Sequence, residues 1–268
     1  HPSFPLTKLK HEYGTEIEDL LRQTYLLLHI GVDQRHSIDD VQRMFTSVAQ
    51  DPRVLLIVLA HKCMTVSQVE CMSKADAIKT CREALSLHAP LAARLGIYAM
   101  KYRLEDRAFP VVYPTDHERI LGQLELLHTS HGEFLRSISD AMSQYMETQG
   151  LPCKVSVREK HPYSIFQKMS TRSFTTIESL VDLIAVRIIV DDIPACYQAL
   201  GLVHQCSVPL SHRFKDYIAF PKPNGYQSLH TCVLGLPGSP KNLKVEVQIR
   251  TTDMHKEAEY GIAAHWFY

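Results

Sequence analysis

The stretch Leu243-Lys244-Val245-Glu246-Val247-Gln248-Ile249-Arg250 alternates strictly between apolar and polar residues. This period of two predicts a β-strand, because successive side chains of a strand point to opposite faces of the sheet. One face of the strand would then carry Lys244, Glu246, Gln248 and Arg250. Such a polar face is also typical of the solvated side of an antiparallel sheet. The strand alone therefore leaves two interpretations open, a functional face and an ordinary surface.

Further strands and helices are predicted on the N-terminal side and the C-terminal side of this stretch. Strand patterns occur at residues 155–157, 183–190 and 226–234, and helical segments at 195–203 and 253–264. Strands that alternate with helices over a hundred or so residues are typical of an α/β or α+β sheet domain.

Before Gly150 the apolar residues recur at helical spacing instead. Ile17, Leu20, Leu21 and Tyr25 follow a spacing of three and four residues, and a longer series of the same kind runs from Ile120 to Tyr145. Asp116 lies near the expected start of that long helix and Gly150 at its end. We therefore predict an α+β protein. Its helical domain spans residues 1–112, and its domain with a mixed sheet spans residues 113–268 and begins with the long helix.

Composition excludes some classes of function. The chain of 268 residues has 29 Lys and Arg against 29 Asp and Glu, so its net charge is zero. A nucleic-acid-binding domain usually has a basic excess, which argues against a bulk polyanion as partner. The longest apolar runs, such as residues 54–60, are too short to span a bilayer, so no membrane partner is expected.

Metal and cysteine motifs are also missing from the sequence. The 15 histidines form no HExxH, the seven cysteines form no CxxC pair, and no GxxxxGK[ST] loop is present. Scattered histidines without ligand spacing are most often core or surface residues. An odd number of scattered cysteines favours a reducing compartment over a disulfide framework.

Cationic residues gather near the predicted strands of the second half. Arg158, Lys160, His161, Lys168 and Arg172 surround Ser164, and a second basic run extends from Arg213 to Lys222. Arg and Lys in such groups can hold a polyphosphate, although a basic solvated helix end has the same composition.

An aromatic residue and two carboxylates accompany these cations. Tyr226 follows an Asn-Gly turn signal, and an aromatic ring displayed beside cations can stack on a nucleobase. Asp182 at a strand entry, together with Glu246, could hold Mg²⁺ against phosphates. These features together favour nucleotide polyphosphate chemistry.

Long ordered stretches of the chain resemble the RelA/SpoT homologue family, the (p)ppGpp synthetases. They are residues 158–165 with Lys168, then 182–187, 213–219, 221–231, 245–251 and 258–266. The resemblance implies a nucleotidyltransferase-like synthetase domain with a mixed sheet. Its reaction is transfer of the β,γ-pyrophosphate of ATP to the 3′-hydroxyl of GDP or GTP in alarmone synthesis. The cofactor would be Mg²⁺, and the partners would be the nucleotides themselves.

The resemblance also implies a role for each residue that matches the family's motifs. The catalytic residues and Mg²⁺ ligands would be Asp182 and Glu246, with Glu246 also placed to deprotonate the 3′-hydroxyl. Tyr226 would stack on guanine, and Arg158 and Arg187 would enclose adenine. The ATP-binding residues would be Arg158, Lys160, Ser164, Lys168, Arg187 and Lys215. The GDP- or GTP-binding residues would be Lys222, Asn224, Tyr226, His230, Gln248 and Arg250.

The first half resembles the later part of the family's HD-type (p)ppGpp hydrolase domain, in degenerate form. Residues 51–60 match the helix that normally continues into Ala-Asp-Arg-Leu-His-Asn, but here His61 replaces the metal-binding Asp, and Met64 and Thr65 replace the His and Asn. Hydrolase activity is therefore expected to be lost. The domain is expected to be truncated at its N-terminus, and the family's C-terminal regulatory part to be missing. The expected location is a bacterial cytoplasm or a plastid stroma, and a homo-oligomer stays open.

One departure from the family concerns synthesis itself. Active members usually have Gly immediately before the Arg of the Arg-x-Lys-His segment, where this chain has Val157. Val is stiff at χ1, whereas Gly permits a close approach of the backbone. The alternative hypothesis is therefore a guanine-nucleotide-binding regulatory module that is weak or inactive in catalysis. A (p)ppGpp hydrolase is the third and least favoured hypothesis.

Overall fold

The computed structural model describes residues 6–29, 51–172 and 183–261 of the chain. It contains two compact units, which divide between Val112 and Tyr113. Among the described residues, no helix combines the length and the apolar character that a membrane span requires. All seven cysteines lie in the described part, and none of them forms a disulfide there.

The first unit is helical. Asp51 caps the helix Pro52–Ser67 by accepting a hydrogen bond from the backbone N–H of Arg53, and Pro52 occupies the first turn, where a missing N–H costs nothing. A π-helical turn over Ala84–His88 joins α3 to α4. The helices are α1 (Leu6–His29), α2 (Pro52–Ser67), α3 (Lys74–Glu83), α4 (Ala89–Arg94) and α5 (Tyr98–Val112).

The second unit begins with the long helix that the sequence predicts, α6 (Pro114–Thr148). Asp116 lies in its first turn, whereas its N-cap is Tyr113. Gly150 ends it with a φ of 72°, a left-handed conformation that Gly adopts without steric cost. The next residue, Leu151, donates its N–H to the carbonyl of Met146.

The rest of the second unit alternates strands with helices. The strands are β1 (Lys154–Glu159), β2 (Ile184–Val190), β3 (Val208–Pro209), β4 (Lys215–Asp216), β5 (Leu229–Leu234) and β6 (Lys244–Thr251). The helices are α7 (Pro162–Arg172), α8 (Ile193–Cys206) and α9 (Thr252–Tyr260). The predicted α+β class is thereby confirmed.

The strands form one mixed sheet in the order β1-β2-β6-β5-β3, with β4 paired to β5. The central strands β2 and β6 are parallel, and the other pairs are antiparallel. The alternation along β6 buries Val245, Val247 and Ile249 completely on one face of the sheet. That face packs against buried residues of α6 and α8, such as Met142 and Val203. Each such side chain contributes about 1.5–3 kcal/mol by leaving water.

A close contact joins the β5–β6 loop to α6. Gly238 has a φ of 77°, and a Cβ atom at this position would overlap the backbone carbonyl of Ser137. Only Gly fits such a backbone-to-backbone approach. The loop is thereby held against the long helix, which fixes the start of β6.

One predicted strand boundary was wrong, and one helix boundary lies outside the described residues. The third predicted strand begins at Leu229 rather than Tyr226, because the chain before it makes a loop. Gly225 has a φ of 78°. The N–H of Lys222 donates to the carbonyl of Tyr226, and the N–H of Tyr217 donates to the carbonyl of Ser228. The last helix ends at Tyr260 among the described residues, whereas residues 262–264 of the prediction lie outside them. The two-residue strands β3 and β4 were not predicted.

Candidate active site

The strand register brings the predicted polar residues to one face of the sheet. Arg158 lies opposite Ala185, Glu246 lies opposite Ala185 on the other side, and Arg187 lies opposite Gln248. His230 also lies opposite Gln248, and Lys215 lies opposite His230. Directly paired residues share a face, so the sheet has one apolar face and one polar face. We call the latter the polar face. Its predicted site residues are Lys215, Arg158, Arg187, His230, Glu246, Gln248 and Arg250.

Glu246 lies at the centre of this face and is fixed by two hydrogen bonds. Its Oε1 is 3.0 Å from Nδ1 of His230, and its Oε2 accepts a hydrogen bond of 3.2 Å from Nε2 of Gln248. Its side chain is 27% exposed, so the carboxylate stays accessible. A carboxylate that is oriented and accessible is suited to accept a proton or to bind a hard cation.

His230 connects Glu246 to Tyr226. Because a carboxylate accepts hydrogen bonds, the Nδ1 of His230 is the donor to Glu246. Nε2 is then the acceptor, and the hydroxyl of Tyr226 donates to it at 2.8 Å. The three side chains form one hydrogen-bonded chain from the predicted guanine platform to the predicted base.

An aromatic cluster surrounds this chain at the edge of the polar face. The rings of Tyr217 and Tyr226 meet edge-on with centroids 6.0 Å apart, and Tyr217 also contacts the ring of His230 at 5.3 Å. The ammonium of Lys222 lies 4.6 Å from the Tyr217 ring and 4.7 Å from the Tyr226 ring. Cation–π attraction therefore holds Lys222 beside Tyr226. Asn224 bonds to the N–H of Tyr226 at 3.3 Å and shapes the turn before it.

Asp216 supports this aromatic cluster, a role that the sequence did not reveal. Its Oδ1 accepts hydrogen bonds from the backbone N–H groups of Ile218 and Ala219, and its Oδ2 accepts one from the hydroxyl of Tyr197 on α8. The hydrogen bond to Asp216 raises the pKa of Tyr197. Asp216 thus connects the loop after β4 to α8 by hydrogen bonds and thereby positions Tyr217.

A second cluster of charge lies where β6 passes into α9. The side chain of Arg250 is only 2% exposed, and its Nη2 is 3.7 Å from Oε1 of Glu259. Arg187 reaches the same Oε1 at 3.3 Å. Burial and the nearby Arg187 lower the pKa of Arg250 to about 10, and burial lowers the pKa of His255 to about 4. The predicted donor residue Arg187 and the predicted acceptor residue Arg250 therefore share one carboxylate.

The first cationic group lies around the start of α7. The backbone N–H of Lys160 bonds to the carbonyl of Leu183, which joins the end of β1 to the start of β2. Ser164 and Lys168 follow on α7, one helical turn apart, and both are partly exposed. Spacing of four residues places them on the same side of the helix.

Val157 occupies the other face of the sheet. It pairs with Val186 of β2, and its side chain packs against the apolar core. Arg158, the next residue, points to the polar face, because side chains alternate along a strand. The methyl groups of Val157 are therefore directed away from the candidate site.

Glu246 is the described residue that fits a Mg²⁺ site. Its side chain is 27% exposed, and carboxylate oxygen is a ligand that Mg²⁺ prefers. Mg²⁺ usually takes one or two carboxylates and completes its shell with water and phosphates. The second predicted ligand, Asp182, lies outside the described residues.

The predicted hydrolase position in the first unit has a different character. His61 on α2 is exposed, and the neighbouring Lys62 forms an ion pair of 2.9 Å with Glu83 on α3. His88 is buried, and its Nδ1 donates to the carbonyl of Glu83 at 3.1 Å. Burial and the charge of Lys62 lower the pKa of His88 to about 3. In the described part of the chain, no three His, Cys, Asp or Glu residues are grouped as metal ligands.

Two family models match the chain. Residues 157–268 match the region found in RelA and SpoT proteins, and residues 5–98 match an HD domain. The two matches agree with the resemblance inferred from the motifs.

Proteins of several bacteria are similar to nearly the whole chain. It is 39% identical over 265 residues to a GTP pyrophosphokinase of Streptomyces coelicolor, a match that covers 99% of this chain and 31% of that protein. It is 40% identical over 230 residues to the bifunctional (p)ppGpp synthase/hydrolase SpoT of Escherichia coli, covering 86% of this chain and 32% of that protein. The chain spans about a third of the length of these curated relatives.

Among solved structures, the small alarmone synthetase 1 of Bacillus subtilis bound to its product pppGpp is similar in part. The identity is 23%, the TM-score is 0.40, and the match covers 50% of this chain and 76% of that chain.

Proposed function

The chain belongs to the RelA/SpoT family, and from that premise we propose that it is a (p)ppGpp synthetase. It transfers the β,γ-pyrophosphoryl group of ATP to the 3′-hydroxyl of GDP or GTP. The observation that carries the proposal is the chain of hydrogen bonds Tyr226–His230–Glu246, which lies on the same polar face as Arg158 and Arg187.

The acceptor nucleotide binds at the aromatic cluster in this proposal. Guanine stacks on the ring of Tyr226, which contributes about 1–3 kcal/mol. Lys222, already held at the rings of Tyr217 and Tyr226, supplies positive charge for the phosphates of the acceptor. Gln248 and His230 fix the carboxylate of Glu246 beside the ribose.

The donor nucleotide binds along the arginines. Arg158 and Arg187 enclose the adenine ring, and Lys160, Ser164, Lys168 and Lys215 face the phosphates. Glu246 accepts the proton of the 3′-hydroxyl. At the same time the hydroxyl oxygen forms a bond to the β-phosphorus of ATP. The bond from that phosphorus to the α-phosphate oxygen breaks, and AMP leaves. Mg²⁺, held by Glu246 and by Asp182, would neutralise phosphate charge. Positioning of the two nucleotides would supply most of the remaining rate enhancement.

A direct assay of transfer tests this proposal. The chain is incubated with γ-labelled ATP and with GDP or GTP over a series of Mg²⁺ concentrations, and labelled ppGpp or pppGpp is separated by anion exchange. We expect label in the guanine nucleotide and AMP in equal amount. Absence of both products at every Mg²⁺ concentration would overturn the proposal.

We also propose that the first unit no longer hydrolyses (p)ppGpp. Support comes from two residues that replace the His and Asn of the motif: Met64 is exposed, and the Thr65 hydroxyl is engaged by the His61 carbonyl at 2.8 Å. Incubation with ppGpp and Mn²⁺ should release no pyrophosphate above a blank. Measurable Mn²⁺-dependent release would contradict this part alone.

The location follows from the reaction and not from the fold. ATP and GTP are intracellular metabolites, and the seven cysteines form no disulfide in the described structure. We therefore propose a reducing, ATP-containing compartment, either the bacterial cytoplasm or a plastid stroma.

A further inference from the structure

Arg250 occupies an unusual place for a cation. It is the largest of the fully buried side chains, and within the described residues its Nε and Nη2 have no hydrogen-bond partner. A buried guanidinium costs several kcal/mol unless charges and hydrogen bonds compensate it. Its position at the end of β6 therefore requires a nearby negative charge.

The neighbours of Arg250 increase this requirement. Arg187 on β2 and Arg158 on β1 both lower the pKa of Arg250 by repulsion, which shows that the three guanidinium groups are within electrostatic reach of one another. His255 stays neutral at pH 7, because burial and these arginines lower its pKa to about 4. The three guanidinium groups repel one another, and a counter-ion is needed to keep them close together on the polar face.

Glu259 supplies that negative charge from α9. Its Oε1 is 3.3 Å from Nη1 of Arg187 and 3.7 Å from Nη2 of Arg250, so one oxygen lies between two guanidinium groups. Glu259 is 26% exposed, and His255 lies one helical turn before it at 4.0 Å. The carboxylate thus reaches the arginines from outside the sheet.

This contact also affects how Arg187 can bind a base. A guanidinium is planar, and it stacks on an aromatic ring with its face while its edge nitrogens donate to acceptors. A carboxylate bound at Nη1 occupies the edge and leaves the face for stacking. Arg187 is the residue that we assign to the adenine of ATP.

We propose that Glu259 is a positioning residue for ATP, which holds Arg187 and Arg250 together on the polar face and thereby orients Arg187 toward the adenine ring. The inference rests on the proposed function, because it takes Arg187 as a donor-site residue. The contact of Glu259 with Arg187 is 3.3 Å, whereas its contact with Arg250, which is assigned to the acceptor nucleotide, is longer at 3.7 Å. The inference therefore predicts that Glu259 matters more for ATP than for the guanine nucleotide.

The test compares Glu259→Gln with Glu257→Gln in the complete chain. Both variants remove one negative charge from α9, but Glu257 makes none of the ion pairs described for Glu259. Binding of AMPCPP, a non-hydrolysable ATP analogue, is measured by calorimetry, and KM values for ATP and GDP are measured in the transfer assay. Melting temperatures report on folding.

We expect Glu259→Gln to weaken AMPCPP binding and to raise the KM for ATP by about tenfold, because the partly buried ion pair that holds Arg187 is lost. The KM for GDP should change less than about twofold, and Glu257→Gln should match wild type. Glu259→Asp, which keeps the charge with a shorter reach, should recover part of the loss.

Different failures have different meanings. The inference would be overturned if Glu259→Gln bound AMPCPP as tightly as wild type or more tightly. It would also be overturned if the KM values for ATP and GDP rose equally, the melting temperature fell strongly, and Glu259→Asp did not recover the loss. A wild-type chain that binds AMPCPP but makes no ppGpp would overturn the proposed function, while the affinity ratio would still decide the role of Glu259. A wild-type chain that does not bind AMPCPP would overturn both.

Discussion

The two units of the molecule hold partly buried cations in different ways. In the first unit, Lys62 is matched by Glu83 at 2.9 Å, and the buried His88 beside them is neutral. In the second unit, Arg187 and Arg250 both contact the carboxylate of Glu259. Among the described groups, the first arrangement pairs one cation with one carboxylate, whereas in the second two guanidinium groups meet at one carboxylate oxygen.

This difference is informative about function. A balanced ion pair needs no further partner, and it contributes to packing of α2 against α3. An excess of buried positive charge is costly in the free protein, and an anionic ligand lowers that cost when it binds. We infer that the candidate synthetase site differs from the predicted hydrolase position in the ratio of described cations to carboxylates.

Glu246→Gln should have the largest effect of the substitutions on the polar face. It keeps the shape of the side chain but removes the base, so we expect kcat for synthesis to fall at least about 10³-fold. Melting temperature and far-ultraviolet circular dichroism should stay near those of wild type. Glu70→Gln, an exposed change in the first unit, is the matched control and should leave kcat unchanged. Residual activity above a tenth of wild type would contradict the role of Glu246.

Tyr226 should give the next largest effect. Tyr226→Ala removes the stacking ring, and the KM for GDP or GTP should rise about tenfold or more. Tyr226→Phe keeps the ring and loses the hydrogen bond to His230, so its KM should stay within about threefold of wild type while kcat falls. The reverse pattern would show that the hydroxyl, and not the ring, binds the acceptor.

His88 provides a test in the first unit. Its folded pKa of about 3 lies below the ordinary value of about 6.5, so the unfolded chain binds a proton first as the pH falls. The corresponding stability is present above pH 6.5 and is lost progressively toward pH 3. Between pH 7 and pH 5 this one group should cost about 2 kcal/mol of unfolding free energy.

Urea unfolding of wild type and His88→Asn at the two pH values measures this cost. The variant should show a loss between pH 7 and pH 5 that is smaller by that amount, whatever its stability at pH 7. An equal loss in both proteins would contradict a neutral buried His88.

Val157→Gly should give the smallest effect on chemistry, and it separates the two main hypotheses. Because Val157 packs into the core, we expect kcat and KM within about twofold of wild type and a loss of about 1–2 kcal/mol in unfolding free energy. The alternative of an inactive nucleotide-binding module predicts instead that Gly restores turnover. A large gain in kcat would support that alternative.

Local patterns in the sequence predicted the elements of the second unit well. The period of two in β6 and the apolar series in α6 are set by nearest neighbours along the chain, and both elements appear where the pattern indicates. The alternation of side chains along β1 also places Val157 on the face opposite the polar face. The failure at Tyr226 has a physical reason, since the Gly225 turn and its bonds to residues 217–222 override the strand propensity.

Local sequence patterns could not predict the contacts between distant segments of the chain. That β2 lies parallel to β6 depends on the whole sheet, and only this pairing brings Arg187 next to Gln248. Asp216 and Glu259 had no local signal for their roles, because their partners on α8 and β2 are remote in sequence. The spacing of His255 and Glu259 by four residues was the one visible hint.

The junction between β6 and α9 has a consequence for sequence length. The strand ends at Thr251 and the helix begins at Thr252, with Thr251 itself capping the helix through Met254, so no loop separates them. An α-helix turns by about 100° for each residue. Inserting one residue here would swing Glu259 by that angle away from Arg187, while a substitution at the surface of α9 would not move it. We therefore expect this junction to tolerate changes of residue identity far better than any insertion or deletion.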